Sequence, residues 1–145
     1  MSEIKNGIRK VLNVPYIYDF FQNIMGADSA RKNLVQNYIK PFKDCRILDI
    51  GCGTSRILDY LTDVEYHGYD SNEHYINDSI ARYGDRGNFH CKTINKLNIS
   101  SLGKFDRIIA IGVLHHLDDQ EAKYLFEISE SALYKNGRMI TIDPC

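Results

Sequence analysis

Two glycines flanking one small residue, Gly51-Cys52-Gly53, close an apolar run that starts at Arg46 and carries an acid, Asp49, near its end. A buried parallel strand reads as a short aliphatic run, and this one breaks at residues whose backbone can take angles forbidden to side chains. Behind the pair, Ile57, Leu58 and Leu61 share one helical face, so the stretch is expected to fold as strand, tight bend and helix. Free N–H groups at such a helix start suit a nucleotide or a carboxylate. A second acid, Asp70, ends the next apolar run, Val64 to Tyr69. It lies about twenty residues past the bend, the spacing at which a carboxylate accepts hydrogen bonds from ribose hydroxyls. Asp70 could instead cap the following helix, but Asn72 is placed to do that. Together these residues point to an adenosine-bearing ligand without choosing between nucleotide classes.

The choice comes from position 56. A dinucleotide fingerprint needs a third glycine three residues after the second, and Arg56 stands there instead. A long side chain at that point obstructs the close helix–strand packing and the pyrophosphate approach. For proton transfer the nearby candidates are His115 and His116, which follow the run Phe105 to Gly112, together with Tyr16 and Tyr18. Adjacent histidines are not a helical i, i+4 ligand pair, so no metal is expected.

The string Asp49-Ile50-Gly51-Cys52-Gly53 resembles motif I of class I S-adenosylmethionine-dependent methyltransferases. Phe105 to Leu117 resembles the signature after strand four in small-molecule methyltransferases of the ubiquinone-methyltransferase-like group. Leu133 to Pro144 is similar to that family's approach to strand five, with Asn136 replacing a glycine. The resemblance runs in order from about Tyr18 to Pro144. It implies S-adenosylmethionine as cofactor, S-adenosylhomocysteine as product, and a small-molecule methyl acceptor. It places Asp49, Gly51, Cys52, Gly53, Asp70, Ser71, Tyr75, Ile111, Gly112 and His116 at the cofactor, with His115, His116 and Tyr18 as candidate catalytic groups. Relatives carry an acid after strand three that accepts from the adenine amino group. Here Thr93 holds that place, Ile94 would line the adenine and Asn95 would lie beside it. A non-catalytic or partner-dependent cofactor-binding module is the alternative. A protein or nucleic-acid methyltransferase ranks lower, because Gly112-Val113-Leu114-His115 stands where base methylators carry Asn/Asp-Pro-Pro-aromatic.

Strands alternating with helices over short connections predict an α/β fold: a Rossmann-like, doubly wound parallel sheet in order 3-2-1-4-5. One domain is expected over 1–145, with residues 1–43 as an N-terminal helical lid and 44–145 as the core. In the lid, Ile17, Phe20, Phe21, Ile24 and Met25 form an apolar stripe. Asp28 is expected to cap a helix that buries Leu34, Val35, Tyr38 and Ile39 and stops before Pro41. Helix Glu73–Tyr83 should bury Tyr75, Ile76 and Ile80. A later helix, capped by Asp118 or Asp119, should bury Ala122, Leu125, Phe126, Ser129, Ala132 and Leu133, with Gly137 closing it in a left-handed conformation before strand five. The resemblance implies two further strands, six and seven, which are expected to be absent from this chain. Strand five would then be an exposed edge, covered by further polypeptide or by a second copy in a homodimer.

Composition narrows the classes of function. With 18 basic against 19 acidic residues and formal net charge −1, the balance argues against a dedicated nucleic-acid binder, the short basic clusters being interleaved with acids. No run approaches membrane-spanning length and no signal-peptide core follows Met1, so a cytoplasmic location is expected. Cys45, Cys52, Cys91 and Cys145 are scattered and are expected to be reduced thiols.

Overall fold

A computed structural model of the chain describes residues 28–143. The expected lid stripe, Tyr16, Tyr18 and Cys145 lie outside the described residues. Five parallel strands, β1 (Cys45–Ile50), β2 (Val64–Asp70), β3 (Asn88–Cys91), β4 (Phe105–Ile111) and β5 (Leu133–Ile142), form one sheet in the order β3-β2-β1-β4-β5. This is the expected topology. Among the described residues four α-helices flank it: α1 (Asp28–Leu34), α2 (Glu73–Tyr83), α3 (Lys96–Ser101) and α4 (Asp119–Ser131).

Alternation along the central strands builds two cores. Leu48, Ile50, Ile108 and Ala110 pack with Ile99 of α3 and with Leu125 and Ile128 of α4. Ile47, Tyr66, Ile109 and Ile111 pack on the other face with Leu34 and Ile39 and with Tyr83 of α2. Both faces of β1 and β4 are therefore dry over most of their length, which is why Ile47-Leu48 and Ile108 to Ile111 read as aliphatic runs. β5 lies at the edge and its residues are half-buried or exposed.

The helix faces differ from expectation by small rotations. α1 continues into a wider π-type turn, Val35–Ile39, and Lys40 ends it with φ 47°. A residue before proline is pushed out of the helical region, so Pro41 sets that boundary. The wider turn keeps Leu34, Val35 and Ile39 inside but swings Tyr38 out to 57% exposure. In α2 the inward stripe is Ile76, Ser79 and Tyr83, whereas Ile80, expected inside, is exposed and Tyr75 is half-buried. In α4, Asp118 is the cap, in a reciprocal box with Glu121. The buried stripe is Glu121, Tyr124, Leu125, Ile128 and Ser129, which leaves Phe126 exposed and Ala122 half-buried.

Gly137 does not close α4. The helix ends at Ala132, and Gly137 lies inside β5, where the pairing with β4 slips between Phe105 and Arg107. A Cβ at Gly137 would sit 2.9 Å from both the Phe105 carbonyl oxygen and Leu133 Cδ2. Glycine is thus required by close backbone approach at an irregular strand pairing, not by a helix end. Gly137→Ala should cost about 1–3 kcal/mol, the usual range for overpacking. Thermal unfolding checks it; an unchanged midpoint would show that the slip relaxes freely.

Candidate functional site

The carboxyl ends of β1, β2 and β4 meet at one point, because β1 lies between the other two. Register pairs Asp49 with Gly68 and with Ile109, and Ile50 with Tyr69 and with Ala110. Gly51 (φ 72°) and Gly53 (φ 57°) take left-handed angles that turn the chain back at the end of β1. The helix expected after them forms only as a short 3-10 turn, Arg56–Tyr60. Residues 51–63 are all the chain available between β1 and β2, and the turn begins behind Ser55 in a left-handed conformation.

The bend differs from expectation in one respect that matters chemically. The N–H groups of Gly51 and Cys52 both donate to the Tyr69 carbonyl, at 2.8 and 3.0 Å. The N–H of Gly53 donates to Asp70 Oδ2 at 3.0 Å. These amides are engaged inside the protein, tying the bend to β2, and are not the free donors the sequence suggests. Unclaimed hydrogen-bonding capacity lies elsewhere: Thr54 Oγ1 and Ser71 Oγ are buried without a partner. Buried orphan hydroxyls are uncommon and suit a site completed by a ligand.

Two buried acids face this point. Asp70 is 2% exposed, and its other oxygen accepts from the Asn72 N–H at 2.8 Å. Asn72 caps α2 by accepting from the Tyr75 N–H, which leaves Asp70 free of that task. Burial raises the Asp70 carboxyl to about 6, opposed by the two amide donors. Asp49 is 4% exposed and accepts from the Tyr66 hydroxyl at 2.6 Å. Burial raises it further, to about 7, with the Asp70 charge adding and the Tyr66 bond opposing. Burial also pushes the Cys52 thiol up, helped by both acids. Cys52 Sγ rests over Gly68, where an added Cβ would come within 2.9 Å of the sulfur.

The remaining residues assigned from sequence divide in two. Ile111 ends β4, and Gly112 (φ 70°) turns away behind it, its N–H donating to the Ile142 carbonyl. Both adjoin the bend across the β1–β4 pairing. Thr93, Ile94 and Asn95 follow β3, on the far side of β2, at the same end of the sheet. Of these, Ile94 is 1% exposed within the core, and the Asn95 side chain caps α3 by accepting from the Leu97 and Asn98 N–H groups. Asn95 is thus committed to its own helix. His115 and His116 form a 3-10 turn with Leu114, their rings 3.8 Å apart. Asp143 Oδ1 lies 3.1 Å from both the main-chain N and the Nδ1 of His115. Burial lowers the His116 pKa, with the neighbouring His115 as a second cause.

Sequence reasoning missed Tyr66, Thr54 and Asp143. Tyr66 reads as one aromatic in a strand, and only the sheet register brings it beneath Asp49. Among the described residues no group of three His, Cys, Asp or Glu side chains is placed to hold a metal. No helix there is long and apolar enough to cross a membrane.

A parallel 3-2-1-4-5 sheet with a glycine bend at the end of β1 and a buried acid at the end of β2 defines a Rossmann-like domain with a nucleotide-type site at its switch point. Residues 48–139 match the model of a family described as a methyltransferase domain, and the chain belongs to that family. The fold is similar to that of a TehB-like S-adenosylmethionine-dependent methyltransferase from Corynebacterium glutamicum (TM-score 0.65, 20% identity, covering 87% of this chain and 71% of that one). It is also similar to the N-methyltransferase NodS from Bradyrhizobium japonicum (TM-score 0.67, 16% identity, 83% and 69% coverage). A third similar structure is an S-adenosylmethionine-dependent methyltransferase from Thiobacillus denitrificans in complex with S-adenosyl-L-homocysteine (TM-score 0.65, 13% identity, 89% and 55% coverage). An uncharacterised protein of Synechococcus is 33% identical over 84 residues, 52% of this chain, and the match spans only 20% of that protein's length.

Proposed function

We propose that the domain binds S-adenosylmethionine at the β1–β2–β4 junction and transfers its methyl group to a small-molecule acceptor by in-line displacement. The observation that carries this reading is Asp70: a buried carboxylate at the end of β2, locked to the glycine bend, one strand from the chain's turn at Gly112. Family membership and the folds of the similar methyltransferases support it. The residues present fit the cofactor. Asp70 would accept from the ribose hydroxyls, the orphan hydroxyls of Thr54 and Ser71 would gain partners, and the loop Thr93 to Asn95 would face the adenine.

S-adenosylmethionine supplies a methyl group already activated on a sulfonium. The protein's task is then alignment and exclusion of water, and orientation of this kind is worth roughly 7–11 kcal/mol. For an acceptor whose nucleophile carries a proton, His115 is the group we assign to take it. The Asp143 carboxylate accepts from Nδ1–H, which holds the ring in one orientation and would stabilise the imidazolium that proton uptake forms. The balanced charge of the chain favours a small acceptor over nucleic acid.

Two measurements test the reading. S-adenosylhomocysteine at a hundred times its dissociation constant should raise the unfolding free energy by about 2.7 kcal/mol, visible as a thermal shift, while NAD at the same concentration does nothing. Tritiated methyl from S-adenosylmethionine should then enter a low-molecular-weight acceptor fraction. A shift with NAD alone, or label entering only protein or nucleic acid, would overturn the reading.

A further inference from the structure

Gly53 is held from both sides, through the two peptide groups that meet at its Cα. Its N–H donates to Asp70 Oδ2 at 3.0 Å, and its carbonyl accepts from Ser79 Oγ at 3.2 Å. The Ser79 hydroxyl also meets Ser55 Oγ at 2.9 Å, and the two serines are 0% and 1% exposed. Ser79 is an unusual choice for its position. It sits mid-helix on the inward stripe of α2, between Ile76 and Tyr83, where an aliphatic side chain would bury more apolar surface. A serine inside a helix ordinarily points to solvent or bonds back to its own preceding turn. This one bonds to a loop 26 residues earlier in the chain. Ser55 is unusual too, a non-glycine residue at φ 60°, a conformation that persists only where the surroundings enforce it.

From this geometry we infer that Ser79 is a positioning residue for the adenosine site: its hydroxyl fixes the peptide that follows Gly53, which holds Gly53 in its left-handed conformation and so sets the direction of the preceding peptide's N–H, the donor that Asp70 accepts from. The inference rests on the reading of Asp70 as the ribose acceptor and adds to it the group that aims the acid. α2 therefore acts on the site twice. Its N-cap residue, Asn72, holds one oxygen of Asp70, and its mid-helix Ser79 holds the other by way of Gly53. Without the Ser79 hydroxyl, the Gly53 carbonyl loses that donor, the two torsions of Gly53 loosen, and the N–H that meets Oδ2 is no longer held in one direction. The consequence falls on ribose binding and on whatever follows from it.

The test is a double-mutant cycle read as the dissociation constant for S-adenosylhomocysteine, by calorimetric titration well below the unfolding temperature. Ser79→Ala should weaken binding about tenfold, the scale of one lost hydrogen bond that orients a charged acceptor. In an Asp70→Ala background the same Ser79→Ala change should cost less than threefold, because the group it aims is already gone. Ser79→Cys, close in size but a weak donor, should fall between wild type and Ser79→Ala, and it serves as the second variant should alanine fold poorly. A merely structural serine would lower the unfolding midpoint and leave the dissociation constant alone, or would add the same cost in both backgrounds. Either result overturns the inference while the wild-type affinity upholds the cofactor reading. Wild-type protein that fails to bind S-adenosylhomocysteine overturns both.

Discussion

Asp70→Ala should raise the dissociation constant for S-adenosylhomocysteine by about a hundredfold or more. A hydrogen bond to a charged group contributes about 1.5–3 kcal/mol, and a ribose diol offers two donors to one carboxylate, so a loss of about 3 kcal/mol is expected from the direct contacts alone. The substitution also frees the N–H groups of Gly53 and Asn72, each of which now has a buried carboxylate oxygen as partner. That loosens the bend as well as removing the ligand's acceptor. Calorimetric titration decides the matter, and unchanged affinity would remove Asp70 from the site. Asp70→Asn should lose less, since the amide keeps one acceptor oxygen and the shape of the side chain.

Asp49→Asn should have opposite effects on stability and on binding. The Asp49 carboxyl, raised from 3.8 to about 7 in the folded protein, keeps a proton that the unfolded chain has released between those values. The folded state therefore binds more protons in that window, and stability falls as pH rises through it: intact below about pH 4, lost once the folded group ionises above pH 7. Asparagine is neutral throughout, and its carbonyl still accepts from Tyr66. At pH 8 the variant should be more stable than wild type by up to about 4 kcal/mol, taking 1.36 kcal/mol per pKa unit, and the gain should vanish at pH 4. Binding of S-adenosylhomocysteine should weaken in the same variant, the usual relation between stability and a site that keeps a buried ionisable group. Denaturant titrations at the two pH values check the claim. Parallel profiles for variant and wild type would mean that Asp49 titrates as an ordinary carboxylate.

What could be read from the chain beforehand follows a physical division. Strand positions, sheet order and the glycine bend were legible because buried parallel strands and positive-φ turns leave marks in residue type along a few consecutive positions, as at Ile47 to Gly53. Asp70 was legible because a fixed spacing carries it. The faces of α2 and α4 were read a fraction of a turn out, at Ile80 and Phe126, because apolar content alone does not reveal that Ser79 and Glu121 belong inside. Gly137 was read as a helix end when the reason for glycine was the Phe105 carbonyl, a neighbour 32 residues away in sequence. The state of the bend's amides was hidden for the same reason: the Tyr69 carbonyl that takes two of them arrives only when β2 pairs with β1. Local chemistry is written locally, and partners supplied by another strand are not.

The sulfur of Cys52 lying over the bare backbone of Gly68 has a consequence for how this corner can change over time. The two positions share one small volume, so neither can grow alone: Gly68→Ala should require a smaller residue at 52, and a branched residue at 52 would press on a position that already has no side chain to give up. In divergent copies of this domain, sizes at 52 and 68 should be inversely linked, although 15 residues and most of the β1–β2 crossover lie between them.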